Sequence, residues 1–264
     1  MVFGLLAAIW LVEVLTLTRE FSFWSDDLFL IDQAGSWGGL IEPYNDHLSP
    51  VILTIFRASA ELADFSYAPF AVAGAVSLVA VPISFYATAR RPMGPPLTAI
   101  LAMPLLWFDG MNPRPAALNH YLALIGGIAC AAALNRGRRA DGVLAAGLVV
   151  SLASAGGGVV VAAACVVHGV LVRPHARRWL VVLAPTALWA CWRLLLADDL
   201  GVASSQPLTS GQIAGAVRDL SLSPFYEASL GVRPLAYLLM AGFLGVGVMQ
   251  LRGGLAAGAN FLAW

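Results

Sequence analysis

One thirty-residue stretch holds the first groups in this sequence that could do chemistry. Residues 21–50 carry five carboxylates in a chain that is otherwise mostly apolar, namely Asp26, Asp27, Asp32, Glu42 and Asp46. Asp26 and Asp27 are adjacent, and a neighbouring like charge combined with partial desolvation raises the pKa of a carboxylate, which suits a general base. The simpler interpretation is that the pair caps a helix starting at Ser25 and solvates the loop.

The composition indicates that these acids belong to a membrane protein. Of the 264 residues, 59% are hydrophobic and 11% are charged, whereas a soluble domain carries about 25% charged residues. Long apolar runs predict helices rather than strands, because backbone polar groups inside a bilayer must be paired within the protein. The predicted fold class is therefore all-α, a polytopic transmembrane helical bundle in a single domain.

Apolar windows predict about eight spans in this bundle. They cover residues 2–18, 67–89, 95–108, 117–134, 142–155, 158–172, 179–197 and 234–251. The run from Ser154 to Gly158 fits either a tight loop between two helices or a weak point in one long helix. The major connections are a loop at 19–66, which carries the acids, and a loop at 198–233. A new apolar stretch begins after Gly254, which is typical of the N-terminal part of a longer protein.

The charges in the loops predict the orientation of the bundle. One set of alternate loops holds a single acid, Asp141, and nine arginines, which are Arg90, Arg91, Arg136, Arg138, Arg139, Arg173, Arg177, Arg178 and Arg252. By the positive-inside rule this side is cytoplasmic, so the N-terminus is inside and the acidic loops lie outside the cytoplasmic membrane. No basic cluster with interleaved aromatics is present, so we expect no nucleic-acid partner.

The first outer loop predicts two helices that do not span. A helix starting at Ser25 would bring Leu28, Ile31 and Ala34 to one face and end at Gly35, lying flat in the interface. Adjacent residues on a helix point about 100° apart, so only one of the two aspartates should face a site. The segment 48–63 predicts a second helix of mixed polarity that starts near Pro50.

Arginines on this side, and charged residues inside the spans, are few. Glu13 falls within the first span, where a carboxylate is costly, so we expect it to face the bundle interior and pair with Arg57 or Arg193. Arg114 lies in a proline-rich loop before the fourth span. Arg57, Arg114 and Arg193 are the outer arginines that could bind a phosphate, because the guanidinium fork pairs with phosphate oxygens in a bidentate way.

The first loop resembles that of the GT-C superfamily of polytopic glycosyltransferases. The resemblance rests on a first span, an aromatic-flanked Asp26-Asp27, an interfacial helix and the polar Asn45-Asp46-His47 before a second helix, and it covers residues 21–50. Beyond them only the rhythm of the spans is similar. The absence of lysine resembles actinobacterial arabinosyl- and mannosyltransferases. Members of the superfamily usually have more spans and often a soluble C-terminal domain.

The resemblance implies an activity and residue roles. These enzymes transfer a sugar from a polyprenyl-phosphate donor on the non-cytoplasmic face to a glycan, lipid or protein acceptor, with an acid of this loop as base. Asp26 and Asp27 match that acid, and His47 with Asp46 would contact the donor phosphate or assist proton transfer. An alternative for His47 is a purely structural role at the start of the second helix.

Several alternatives stay open. A divalent metal bound by Asp26, Asp46 and His47 is one, because carboxylate and imidazole ligands hold such ions, although no spacing enforces it. No other cofactor is expected, and the three cysteines fall in apolar runs that indicate core packing. A transporter or flippase would use intramembrane charges such as Glu13 and Arg193. A noncatalytic membrane subunit would tolerate the loss of Asp26.

Overall fold

A computed structural model describes residues 2–17, 23, 25–44, 47–64, 66–106, 117–134, 136–172, 175–195 and 237. Nine α-helices occur in this described part: α1 Val2–Leu17, α2 Ser25–Ala34, α3 Pro50–Ala63, α4 Tyr67–Met93, α5 Pro95–Leu106, α6 Leu118–Leu134, α7 Asp141–Leu152, α8 Gly157–Val172 and α9 Ala176–Leu195. Short 3-10 turns cover Gly38–Ile41 and Gly137–Ala140. The only sheet in the same residues is a two-residue antiparallel pairing of β1 Pro43–Tyr44 with β2 His47–Leu48.

The prediction of an all-α fold is confirmed for these residues. Helices occupy seven of the predicted span positions, and the eighth, 234–251, lies outside the described residues apart from Tyr237. Only α4, over Tyr67–Arg91, is both long and apolar enough to cross a membrane by length and composition among the helices described. Shorter apolar helices cover Phe3–Leu17, Leu118–Leu134 and Gly157–Val172.

Local signals explain where several helices begin and end. Pro50 occupies the first turn of α3, as predicted, because its missing N–H is not needed there. The helix α2 stops at Ala34, immediately before the predicted break at Gly35. Between α4 and α5 the chain reverses at Gly94, whose φ of 82° lies in the left-handed region that glycine tolerates best.

The question left open at Ser154–Gly158 is resolved as a tight loop. The helix α7 ends at Leu152 and α8 begins at Gly157, and the two helices pack against each other. The loop also contacts the segment before α3: Ser49 Oγ donates to Ser154 O at 3.4 Å and Val51 N–H to Ala153 O at 3.3 Å. The end of α7 and the start of α3 are therefore neighbours.

The long helices of the described part alternate in direction. Phe70 near the start of α4 shares one apolar cluster with Leu118 and Tyr121 at the start of α6, and with residues of α2 and α3. At the opposite end, Arg178 Nη2 near the start of α9 donates to Ala133 O near the end of α6 at 2.7 Å. The described bundle therefore has two opposite ends, and a different set of loops meets at each end.

The two ends carry opposite charge. We call one the acidic end; it holds the exposed acids Asp32, Glu42, Glu61 and Asp64, whereas a fifth exposed acid among the described residues, Glu13, lies along α1. The other is the basic end, where the exposed arginines are Arg90, Arg91, Arg136, Arg138, Arg139 and Arg177. Asp141 also lies at the basic end, where it is buried with Oδ1 3.5 Å from Arg178 Nε.

The prediction that Glu13 faces the bundle interior is wrong. Glu13 is exposed on α1, whose buried side chains are Phe3, Ala7 and Val14. These three residues lie on one helical face, and Glu13, next to Val14 in sequence, points about 100° away from it. The predicted pair with Arg57 is not formed, because Arg57 pairs with Glu61.

Candidate functional site

The helix α2 carries Asp27 into the protein. Asp27 is 1% exposed, and Leu30 and Ala34 on the same helix are 0% and 3% exposed. Residues three and four positions apart share a helix face, so Asp27, Leu30 and Ala34 form one buried stripe. Leu30 and Ala34 belong to the apolar cluster at the starts of α4 and α6.

The buried stripe overlaps the predicted apolar face only in part. The sequence pattern placed Leu28, Ile31 and Ala34 on one face in the interface; Ala34 belongs to the buried stripe, whereas Leu28 is 57% exposed. The tertiary partners decide the face, because Leu30 meets the buried side chains Leu53 and Phe56 of α3 in the same cluster. The carboxylate of Asp27 is thereby withdrawn from water.

Asp26 and Asp27 are distinguished by this arrangement. Asp26 lies in the first turn of α2, one residue before Asp27, and its side chain falls outside the described part. Of the adjacent pair, Asp27 is the carboxylate that the described fold holds inside. A general base must lie within hydrogen-bond reach of the proton that it accepts, so the position of Asp27 inside the fold makes it the candidate to examine.

A segment after α2, which we call the strap (residues 35–44), is tied down from two directions. Gln33 Nε2 donates to Gly39 O at 3.1 Å and to Glu42 O at 2.9 Å. Trp192 Nε1 on α9 donates to Ile41 O at 2.8 Å. Gly39 has no room for a side chain, because a Cβ there would collide with the carbonyl of Gln33. The strap leads directly to Asp46 and His47.

Sequence reasoning missed Gln33 and Trp192. Gln33 lies in the helix predicted from the acids, and a single amide there forms no motif that would indicate its role. Trp192 lies 151 residues from its partner Ile41, and its spacing within an apolar helix is that of an ordinary core tryptophan. Only the fold brings the end of α9 to the strap.

Arg57 is the arginine at the acidic end whose contacts are described in most detail. Its Cζ lies 4.1 Å from the ring centroid of Trp37 in the strap, and its Nε donates to Glu61 Oε1 at 3.1 Å. The side chain is 21% exposed, and its Nη1 is buried with no hydrogen-bond partner among the described residues. Because an unpaired buried donor is costly, this nitrogen favours an incoming oxygen ligand such as a phosphate oxygen.

The remaining predicted site residues are distributed as follows. Arg193 is half-buried, one residue from Trp192, so it shares the acidic end with Arg57. His47 has its backbone in β2, opposite Tyr44, and its side chain falls outside the description. Asp46 and Arg114 lie wholly outside the described residues. The structure therefore brings Asp27, Arg57 and Arg193 to one end and says nothing of the others' side chains.

No cluster of three or more His, Cys, Asp or Glu side chains that could hold a metal occurs in the part of the chain that the structure describes. The suggested ligands Asp26, Asp46 and His47 all have side chains outside that part. The metal thus stays an open alternative.

An apolar cleft of about 230 Å³ lies away from these residues. It is lined by Phe85 of α4, by α6 from Leu124 to Leu134, and by Val161, Ala164 and Cys165 of α8. Its titratable lining side chains are the thiols of Cys130 and Cys165, and no carboxylate, histidine or arginine lines it. Because the expected general base is a carboxylate, the buried acid of α2 is the stronger candidate for that chemistry.

The described geometry thus offers a withdrawn carboxylate, a cation with an uncommitted donor, and a tethered strap at one end of an apolar helical bundle. Comparison of the chain with protein-family models, curated proteins and solved structures gives no match in any of the three.

Proposed function

We propose that this protein is a polytopic membrane glycosyltransferase of about eight spans. It transfers a sugar from a polyprenyl-phosphate donor to an acceptor on the non-cytoplasmic face, and an aspartate of the first loop is the general base. The observation that carries the proposal is Asp27, which is 1% exposed at the acidic end of an apolar bundle. Keeping an ionisable group out of water is costly unless the environment or a function compensates for it.

Two features support membrane placement and orientation. The helices α4 and α6 begin at the acidic end, whereas α7 and α9 begin at the basic end, as in a polytopic chain that crosses a bilayer repeatedly. The exposed arginines of the described residues collect at the basic end, and all their exposed acids except Glu13 lie at the acidic end. The positive-inside rule then puts the basic end in the cytoplasm and Asp27 on the outer side.

The chemistry assigns a role to each side chain. The acceptor hydroxyl attacks the anomeric carbon as its bond to the phosphate oxygen breaks, and polyprenyl phosphate leaves. Asp27 accepts the hydroxyl proton, with Asp26 beside it in the same turn. Arg57 and Arg193, with Arg114 from the loop before the fourth span, neutralise the phosphate, and His47 and Asp46 assist there. The acceptor is a glycan, a lipid or a protein.

The transporter alternative uses Glu13 and Arg193 as charges that line a path through the bundle. Glu13 is exposed on the side of α1 in the described structure, which leaves the half-buried Arg193 for that role. A noncatalytic membrane subunit is distinguished from an enzyme by the experiment that follows.

The test replaces Asp27, Asp26 and Asp32 separately with Asn and measures sugar transfer in membranes from synthetic polyprenyl-phosphate arabinose and mannose. Asp27→Asn should lower transfer by about 10²- to 10⁴-fold, the range that a general base contributes. Asp32→Asn is the matched control, because Asp32 lies on the same helix but is exposed, and it should stay within about 2-fold of wild type.

Unfolding temperatures of the three variants separate a catalytic loss from a folding defect. Wild-type transfer in both Asp26→Asn and Asp27→Asn would remove the enzymatic assignment, and so would the absence of transfer by the wild-type protein from either donor.

A further inference from the structure

The basic end has a surface that the proposed transfer reaction does not use. Its six exposed arginines come from three places, the end of α4, the turn between α6 and α7, and the start of α9. We call them the arginine collar; its members are Arg90, Arg91, Arg136, Arg138, Arg139 and Arg177. The link from Arg178 to Ala133 O and Asp141 holds the start of α9 against the turn between α6 and α7.

The charge of the collar is not neutralised within the described structure. Arg90, Arg91, Arg136, Arg138 and Arg139 have no ion-pair partner among the described residues. Arg177, 79% exposed, has its Nε 3.9 Å from Asp141 Oδ2. Asp141 is itself 4% exposed and faces Arg178, so it offers little negative charge to the outside.

The collar borders an apolar wall. Leu180, three residues after Arg177, is 68% exposed, and Val143, four residues after Arg139, is 51% exposed. Leu97, near the start of α5, is 48% exposed. Exposed apolar side chains next to the arginine collar match the boundary between lipid acyl chains and headgroups. A soluble acidic protein would complement only the positive charge.

We propose that the arginine collar is a binding surface for the headgroups of anionic phospholipids. The planar guanidinium groups pair with lipid phosphate oxygens, while the apolar wall beside them contacts the acyl chains. The proposal rests on the membrane placement given above but not on sugar transfer or on Asp27.

The experiment reconstitutes the full-length protein in phosphatidylcholine nanodiscs containing a small amount of dansyl-labelled phosphatidylglycerol. Energy transfer from protein tryptophan to dansyl reports lipid next to the protein, and Trp179 lies two residues after Arg177 of the collar. Wild type should enrich phosphatidylglycerol over dansyl-labelled phosphatidylcholine, and the enrichment should weaken as salt rises.

The test variant R136Q/R138Q/R139Q changes three exposed side chains in one turn and should weaken the preference by about 10- to 100-fold. The control variant D32N/E42Q/D64N changes three exposed charges at the acidic end and should keep it. Three outcomes would overturn the proposal. They are equal enrichment of both lipids, an unchanged preference in the collar variant, and displacement of the lipid by millimolar inorganic phosphate. Asp27→Asn should retain the lipid preference, which separates failure of this proposal from failure of the transfer assignment.

Discussion

Asp27 and Arg57, both at the acidic end, differ in their surroundings and therefore have different roles in the proposed site. Asp27 is withdrawn from water, whereas Arg57 is half-buried, supported by Trp37 on one side and Glu61 on the other. Cation–π contact with Trp37 is made through the guanidinium face, so the in-plane donors can still form hydrogen bonds: Nε donates to Glu61, and Nη1 has no partner among the described residues. The proposed function uses this difference, with Arg57 as the ligand of the donor phosphate and Asp27 as the base.

Replacing Arg57 with Gln should raise the KM for the donor by about 10- to 100-fold, because a hydrogen bond to a charged group contributes roughly 1.5–3 kcal/mol. Measurement of KM and kcat separately with a polyprenyl-phosphate sugar checks this. Glu61→Gln is the control: it removes the ion-pair partner, whose side chain is 64% exposed, and keeps the cation. An equal rise in KM for both variants would show that the ion pair, not the cation, matters.

Asp141 makes a different prediction, about stability. Removing one member of a buried ion pair leaves the other charge uncompensated, so Asp141→Asn should lower the free energy of unfolding by about 3–5 kcal/mol. Arg177→Gln should change it by less than about 1 kcal/mol, because Arg177 is 79% exposed. Denaturant unfolding in detergent measures both, and comparable losses would contradict the assigned burial.

At the scale of elements, α6 and α7 approach each other through glycine. A Cβ at Gly147 would lie 2.7 Å from Gly126 O, and one at Gly126 would lie 2.6 Å from Gly147 O. The same interface has a hydrogen bond from Ser151 Oγ to Ala123 O at 2.9 Å. Small residues allow two helices to come close enough for such bonds.

Gly147→Ala should therefore destabilise the protein by about 1–3 kcal/mol, the usual cost of overpacking. Gly142→Ala is the matched control in the same helix, because a Cβ there meets no atom within 4 Å; alanine should be neutral or stabilise α7 by about 0.5–1 kcal/mol. Thermal unfolding followed by circular dichroism compares the two, and a Gly147 variant as stable as the Gly142 variant would refute the close approach.

At the scale of the whole molecule, the separation of charge predicts topology. Asp64 lies at the acidic end and Arg138 at the basic end, and both are exposed. Single cysteines at these positions, in a Cys191→Ser background that keeps the buried Cys130 and Cys165, should react differently with a membrane-impermeant maleimide in intact cells.

Asp64→Cys should be labelled from outside, and Arg138→Cys only after the membrane is permeabilised. Labelling of both positions in intact cells would contradict the alternating arrangement. Labelling of Arg138→Cys alone would invert it and place Asp27 on the cytoplasmic side, away from a periplasmic donor.

The sequence by itself determined the helical class, the positions of most helices and the charge of the two ends. These features are local. Helical hydrogen bonds join residues four apart, and single residues mark the end of α2 at Gly35 and the start of α3 at Pro50. The number of arginines in each loop is read from the sequence without any knowledge of packing. The division of the loops into an acidic set and a basic set is likewise read from the sequence alone.

Only the tertiary structure decided which face of α2 is buried, that Glu13 points away from the bundle, and that Trp192 holds the strap. The face of a short amphipathic helix depends on which partners it meets, and the periodicity of α2 fits neighbouring faces nearly equally well. Asp27 became the inward carboxylate because Leu30, three residues later, packs against α3. Contacts between residues far apart in sequence select that packing, and no local pattern encodes it.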